Sequence, residues 1–520
     1  MYRIFILFLV SVNFLFAQLL PSELRLSTGS LSKTNDVLPE SNNIEEIQVV
    51  KDTIWLATGN GLSRSTDNGE TWTNYYGTEE FGTESVATVT YKKGVIYASA
   101  WHSEDVLGSS VPTGAGLRYS TDGGETWTSI SQPLDDEADT LISYGINTLK
   151  TEAQVVENEN YIRSIGVTSD AIWIASYAAG LRKSTDNGQT WQKVILPPDN
   201  LDSISPEDTL DFFAGPRRGT TGHANYIVTA IQVISDLILY VGTAGGINKT
   251  TDGGQSWIKF SHTNQQNPIS GNAIWRIRYN KYDNSIWAAT NKQNGDTEFY
   301  AVSRTDDGGQ SWETFLPGGQ IFDISFLPQT EGFDILVASD NGVYRSDNEG
   351  LTWIANPEII DDVSNIKIVS RQFRSVAVTT ETNSNIIWLG SKSDGLAKLE
   401  EEYGDFWSGS WKVYLSSDPL EDGIESKAFP NPFSPEITQL KIEYTTKGNS
   451  ADVTLRIFDF DMNLVRTLLQ SAPRDGYLDS YTEFWNGRDE RGNIVPNGVY
   501  FYRIDLNSDE PEYGKIIVLR

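Results

Sequence analysis

The chain has 520 residues, with 40 Lys and Arg against 70 Asp and Glu, a formal net charge of −30 and no cysteine. That acidity excludes a nucleic-acid-binding surface, which needs a basic footprint, and fits a soluble secreted or surface protein. The length allows about three ordinary domains, or one large closed repeat array beside a small module. Such an array buries enough surface to be stable without disulfides, even in an oxidising compartment.

Residues 1–17 read as an export signal: Met1-Tyr2-Arg3 is the charged start, Ile4 to Phe16 the apolar core, and Ala17 before Gln18 the cleavage point. The apolar run is too short to span a bilayer, and no other stretch is long and apolar enough to do so. Residues 18–43 form a polar N-terminal segment in which Leu24-Arg25-Leu26 could add a strand.

From residue 44 the chain repeats itself. An octet runs Ser65-Thr66-Asp67-Asn68-Gly69-Glu70-Thr71-Trp72 and recurs at Ser120–Trp127, Ser184–Trp191, Thr250–Trp257, Thr305–Trp312 and Ser346–Trp353. The fourth and fifth copies begin with Thr, and the sixth has Asn348 where the others have Asp67, Asp122, Asp186, Asp252 and Asp307. Asp or Asn folds its side chain onto nearby backbone N–H groups, and Gly supplies a positive φ, so each octet predicts a tight turn between strands. The closing Trp72, Trp127, Trp191, Trp257, Trp312 and Trp353 open the return strand and turn their indoles into apolar packing. A short β run such as Ile54-Trp55-Leu56-Ala57 or Ile172-Trp173-Ile174-Ala175 precedes each octet. Another such run, Ile386-Ile387-Trp388-Leu389, begins a seventh unit whose own turn, Asp405 to Trp411, is degenerate.

This octet resembles the Asp-box (BNR) repeat, whose aspartates are structural in that family. A shared metal or acid/base cluster of the same carboxylates is disfavoured, because a ring of turns holds them apart. An additional early run, such as Ile44 to Val50, gives each unit four strands. Four-stranded units favour radial closure, which leaves only short sheet edges. The expectation is an all-β chain with a seven-bladed β-propeller over residues 44–418; an open solenoid and a six-bladed ring are the alternatives.

All octets fall on one face. The other face carries the turns between second and third strands and the links between units, and the extra length collects there: His102–Thr113, Gln132–Asn160, Pro197–Asn225 and Asn291–Glu298. Long connections in a compact repeat point to a binding face. Trp101, His102, Asp105, Phe212, Arg217 and Arg218 are its candidate ligand residues. Trp101 with His102 offers a stacking platform for sugar, against packing within its own unit. Arg217-Arg218 offers a basic pair for an anionic partner, against a screened surface pair. His102, His223 and His262 lack metal-ligand spacing.

Residues 419–427 read as a linker and 428–520 as a small Ig-like β-sandwich of alternating strands with Gly-rich turns. Its Pro430-Asn431-Pro432-Phe433 entry, Trp485-Asn486-Gly487 turn, Asn497-Gly498-Val499-Tyr500 strand and closing Lys515 to Arg520 resemble the hook-capping Ig-like module. They also resemble the type A C-terminal sorting domain of the type IX secretion system, with Asn486 where that family usually has Asp. The resemblance implies the type IX secretion machinery as partner, and a secreted or cell-surface address in a Bacteroidetes-like bacterium.

These readings combine into a non-enzymatic propeller that binds a protein or glycan on the insertion-rich face, with no cofactor, metal or nucleic-acid partner. Asp-box propellers also include sialidases and xyloglucanase-type glycosidases, so a glycoside hydrolase is the alternative. Arg163, Arg217, Arg276, Arg278 and Arg371 are present for a sialidase site, but the Arg-Ile-Pro triplet is not, and Tyr161-Ile162-Arg163 reads as ordinary strand. Two carboxylates about 5–10 Å apart would serve a glycosidase, drawn from Glu104, Asp105, Asp135, Asp136, Asp208 and Asp211. Asp-box propellers that hold protein partners, as photosystem assembly factors and sortilin-like receptors do, give a third resemblance.

Overall fold

A computed structural model describes residues 34–36, 38–106, 109–293, 295–363, 366–381, 384–416, 426–429, 431–435, 440–474, 480–506 and 510–519. The export signal, Leu24-Arg25-Leu26, most of the linker, Pro430 and Arg520 lie outside these residues. Among the described residues the fold is all-β; the single helical turn is a 3-10 turn at Ala224–Tyr226.

The first sheet is an antiparallel meander of Ile44–Val50, Thr53–Thr58, Gly61–Ser65 and Trp72–Asn74. Thr34–Asp36 pairs outside its last strand. The second sheet is Ser85–Lys92, Val95–Val106, Ser109–Ser120 and Thr128–Ile130. Meanders of the same order follow, built inward on Ile162–Val167, Val228–Val233, Ala273–Tyr279, Ile321–Pro328 and Phe373–Thr380. Each of these innermost strands packs against those of the sheets before and after it, and Phe373–Thr380 packs against Ile44–Val50. The second strands, such as Ile172–Ser176 and Leu239–Thr243, are buried throughout, because neighbouring sheets cover both of their faces.

The octets explain how the sheets are spaced. In the first, Ser65 Oγ donates to Asp67 Oδ1 and accepts from Gly69 N–H at 2.8 Å each. Thr71 donates its N–H to Asp67 Oδ1 and its hydroxyl to Oδ2. The same bonds recur around Asp122, Asp186, Asp252 and Asp307. At Asn348 the last bond is reversed, Nδ2 donating to Thr352 Oγ1 at 2.7 Å. Each carboxylate is therefore consumed by its own turn.

The last glycine of each octet then lies on the preceding sheet. Gly124 faces Trp55 and Tyr75, Gly254 faces Trp173, Gly309 faces Phe260, and Gly69 faces Trp388 and Tyr414. These glycines have φ between 84° and 105°, and a Cβ would enter the facing ring. Basic side chains add a second tie: Lys249 Nζ donates to Gly308 O at 2.9 Å and Lys398 Nζ to Asn68 O at 3.3 Å.

First and last sheets share no strand. Their seam buries Ile44, Leu56 and Trp72 against Ala377, Trp388 and Tyr414, and hydrogen bonds add to it: Asn42 Oδ1 accepts from Ser416 N–H at 2.7 Å and its hydroxyl at 2.8 Å, and Gly395 N–H donates to Asn42 O.

The insertions do not all sit on the face opposite the octets, which corrects the sequence-based placement. Gln132–Asn160 folds a hairpin, Leu141–Tyr144 with Asn147–Lys150. Pro197–Asn225 adds Ser203–Ile204 outside Trp257–Phe260. The two segments interlock, Thr151 Oγ1 donating to Ala214 O and Asn147 Nδ2 to Asp208 O. Leu149, Ile204 and Ala214 bury against Trp173, Leu239 and Trp257. The apolar side of the hairpin needs this cover, so it runs down the outer rim until Tyr144 OH donates to Gln255 O in an octet.

The C-terminal residues form a three-stranded sheet, Ser426–Phe429, Leu440–Tyr444 and Tyr481–Trp485, and a four-stranded sheet in the order Leu464–Arg474, Ala451–Phe458, Gly498–Leu506, Glu512–Val518. Phe433, Trp485, Tyr500, Tyr502, Ile516 and Val518 share one core between them.

Candidate ligand face

The innermost strands share a sequence pattern of apolar, variable, small or polar, apolar: Ile44-Glu45-Glu46-Ile47, Ile162-Arg163-Ser164-Ile165, Ile274-Trp275-Arg276-Ile277, Ile321-Phe322-Asp323-Ile324 and Phe373-Arg374-Ser375-Val376. In every one the strand pairing shifts register at the second residue. A bulge re-aims the side chain of its extra residue. It lies near the start of each strand, hence at the end remote from the octets.

The third positions Glu46, Arg276 and Asp323, with Arg278 two residues beyond Arg276, build an ion network across the axis. Glu46 Oε1 meets Arg276 Nη1 at 2.9 Å and Arg278 Nη2 at 3.3 Å. Asp323 Oδ1 meets Arg278 Nη2 at 2.8 Å, and Thr88 donates its hydroxyl to Glu46 Oε2. Burial opposes ionisation of Glu46, but Arg276 and Arg278 outweigh it and hold the carboxyl below its ordinary range. Two cations and two anions from three sheets thus neutralise one another on the axis.

The bulged positions meet above this layer. The Arg163 guanidinium lies 4.3 Å from the Trp275 ring centre and 5.7 Å from that of Tyr161. Trp275 meets Phe322 edge-on at 5.9 Å, and Arg374 sits 4.3 Å over Phe322. At the other end Trp101 packs on Tyr161 at 5.4 Å. The result is one continuous seam of rings and guanidinium groups, half-buried except for Phe322, which is buried.

The predicted face residues divide between two places. Trp101 joins the seam, packing on the next sheet's Tyr161 rather than within its own sheet. His102 Nδ1 lies 2.9 Å from Glu84 Oε2, and that hydrogen bond, opposed by burial and aided by Glu84, Glu104 and Glu157, raises its pKa. Trp101 to Asp105 is strand, paired with Ser110 to Gly114, so this insertion is a lengthened hairpin. Phe212, Arg217 and Arg218 lie instead on the interlocked insertions. Phe212 meets His223 at 5.9 Å, Arg217 pairs with Asp199, and Arg218 Nε lies 3.2 Å from Glu152 Oε2. The basic pair is therefore engaged within the chain. A cavity of about 20 Å³ beneath it, lined by Gln154, Arg182, Lys193 and Tyr226, has room for about one water.

The proposed glycosidase carboxylates sit in unlike surroundings. Burial would raise Asp135, but Arg182 at 2.6 Å and Lys193 at 3.0 Å bring it down to about 2. Glu104 accepts from Asn158 Nδ2 at 3.0 Å, and Asp136, Asp208 and Asp211 are exposed. Of the sialidase-type arginines, Arg276 and Arg278 are spent on the axis.

The residues that carry the sorting-domain resemblance converge. Asn431 donates to Lys515 O and accepts from Ile517 N–H, pinning the final strand. Phe433 packs 5.5 Å from Trp485, Gly487 backs onto Pro435 and Phe433, and Tyr500 lies 5.6 Å from Trp485. Gly498 opens the strand that carries Tyr500, just after Asn497.

Residues 118–129 and 182–193 match the model of the BNR/Asp-box repeat. The xyloglucanase Xgh74A of Acetivibrio thermocellus is 25% identical over 360 residues, 62% of this chain and 38% of that protein. A probable oligoxyloglucan-reducing end-specific xyloglucanase of Neosartorya fischeri is 24% identical over 259 residues, 47% of this chain and 28% of that protein. The chain thus spans only about a third of the length of these curated relatives. Among solved structures, an ancestral GH74 enzyme superposes with a TM-score of 0.50 at 14% identity, covering 93% of this chain and 63% of its own. The fold and the repeats together define a BNR-repeat β-propeller.

Proposed function

We propose that the chain is a seven-bladed Asp-box propeller followed by an Ig-like sorting domain, exported by type IX secretion to the surface of a Bacteroidetes-like bacterium or beyond it. There it binds glycan on the face remote from the octets. The observation that carries this reading is the seam from Trp101 through Tyr161, Arg163, Trp275 and Phe322 to Arg374. Aromatic rings at the mouth of a propeller present flat apolar faces that match the C–H faces of sugars, with polar edges beside them. Titration with soluble polysaccharides tests it: Trp275→Ala is expected to weaken binding at least about tenfold, the loss of about 1.4 kcal/mol.

The second reading is a glycoside hydrolase, favoured by the names of the relatives. It requires a carboxyl poised as an acid near the seam. Release of reducing ends from xyloglucan by the purified chain would establish it, and no turnover at enzyme concentrations of tens of micromolar would remove it.

A further inference from the structure

Arg163 and Arg374 stand apart from the other arginines of the array. Arg64, Arg182, Arg217, Arg218, Arg276, Arg278, Arg304 and Arg345 each pair with a carboxylate. Among the described residues Arg163 and Arg374 have no hydrogen bond or ion pair, only aromatic rings beneath them. A half-buried cation with no counter-charge costs stability, and in a chain of net charge −30 anions are not scarce. The Arg374 Nε and Trp101 Nε1 donors are also shielded from solvent with no acceptor within reach. Stacking over a ring leaves the N–H edge of a guanidinium free, and that edge matches a carboxylate bidentately. Among the bulged positions Glu45 is the one carboxylate, set against the guanidinium groups of Arg163 and Arg374. The network below it is neutral.

We propose that this mouth takes an acidic saccharide, a uronic-acid chain whose carboxylates pair with Arg163 and Arg374 while its sugar rings lie on Trp275, Tyr161 and Trp101. The proposal rests on the glycan reading of the same face and narrows it. Neutral sugars satisfy the rings and leave both guanidinium groups without an anion. A uronate satisfies both.

The full chain is titrated by calorimetry with hexagalacturonate, with the same oligomer after carboxyl reduction, and with a neutral xyloglucan oligosaccharide. The expected result is binding of the uronate, weakened at least about tenfold by Arg163→Gln, by Arg374→Gln and by carboxyl reduction. Added salt is expected to weaken it further, since the contacts lie near solvent. Equal affinity for the reduced oligomer overturns the proposal, as does unchanged binding by both variants at unchanged melting temperature. If a variant melts early, Arg163→Lys and Arg374→Lys with the reduced oligomer decide. Binding of neutral oligomers alone leaves the glycan reading standing and removes this one. Binding of no saccharide removes both.

Discussion

Arg163 and Trp275 come from innermost strands that are not neighbours, yet the guanidinium lies 4.3 Å from the ring centre. The strand Val228–Val233 packs between theirs, so the pair meets over the central opening. It bridges the two sheets that flank that strand, at the point where each of their own strands is bulged. The ligand proposed above would therefore touch several sheets at once.

The axial network is expected to hold the ring together. Glu46→Leu leaves Arg276 with Asp323 at 3.7 Å as its nearest carboxylate and strands Thr88. Removing one member of a buried ion cluster costs about 3–5 kcal/mol. Urea unfolding that returns a loss under about 1 kcal/mol would show that the network is decoration.

The octets are expected to be acid-labile. Burial opposes ionisation of Asp307, but the Ser311 hydroxyl and N–H overcome it and lower its pKa to about 2. A lowered carboxyl stabilises fully above its unfolded pKa of about 4 and loses that contribution as pH falls through the folded value. Asp307→Asn keeps the turn, since Asn348 already does so, and should flatten the fall in melting temperature between about pH 4 and pH 2. A steeper fall would contradict this.

Gly254→Ala tests the packing between sheets. Its φ of 92° and a Cβ placed 2.6 Å from the Trp173 ring leave no low-energy response, so a loss of about 3 kcal/mol is expected. The urea midpoint should drop with an unchanged slope. Gly123→Ala, with open space around its Cβ, carries only the backbone cost and serves as the comparison.

His102 should titrate high. Its hydrogen bond to Glu84 raises the pKa above 6.5, so its contribution is complete below that value and disappears as pH rises through the raised one. NMR titration of the ring reads this directly, and a midpoint at or below about 6.5 would show that the pair does not form in solution. His102→Gln should remove the corresponding pH dependence of melting.

Much of the scaffold is written locally. The octet fixes its own turn through Asp67, Gly69 and Thr71, with bonds between residues no more than 4 apart, so the pattern is recognisable without a fold. The runs around Trp55, Trp173 and Trp388 announced buried strands for the same reason. The candidate site was less legible because it is assembled from residues far apart in the chain. Tyr161 and Arg163 fit an ordinary strand pattern, and so do Trp275, Phe322 and Arg374, so none is distinctive within its own segment. Aligning the innermost strands on their first and fourth apolar residues places Arg163, Trp275, Phe322 and Arg374 in one column, with Tyr161 two positions earlier. The placement of Phe212, Arg217 and Arg218 failed for a related reason: loop length reveals an insertion but not the apolar rim onto which it folds.

The bond between Asn42 and Ser416 joins residues 374 positions apart. During synthesis the circle cannot shut until nearly the whole array has emerged, so the growing molecule is an unfinished arc with two raw ends. Once shut, it is fastened by packed rings and aliphatic side chains with a few hydrogen bonds, in place of a shared ladder. Tension across the circle would fall on that joint, where the described strands form no continuous ladder.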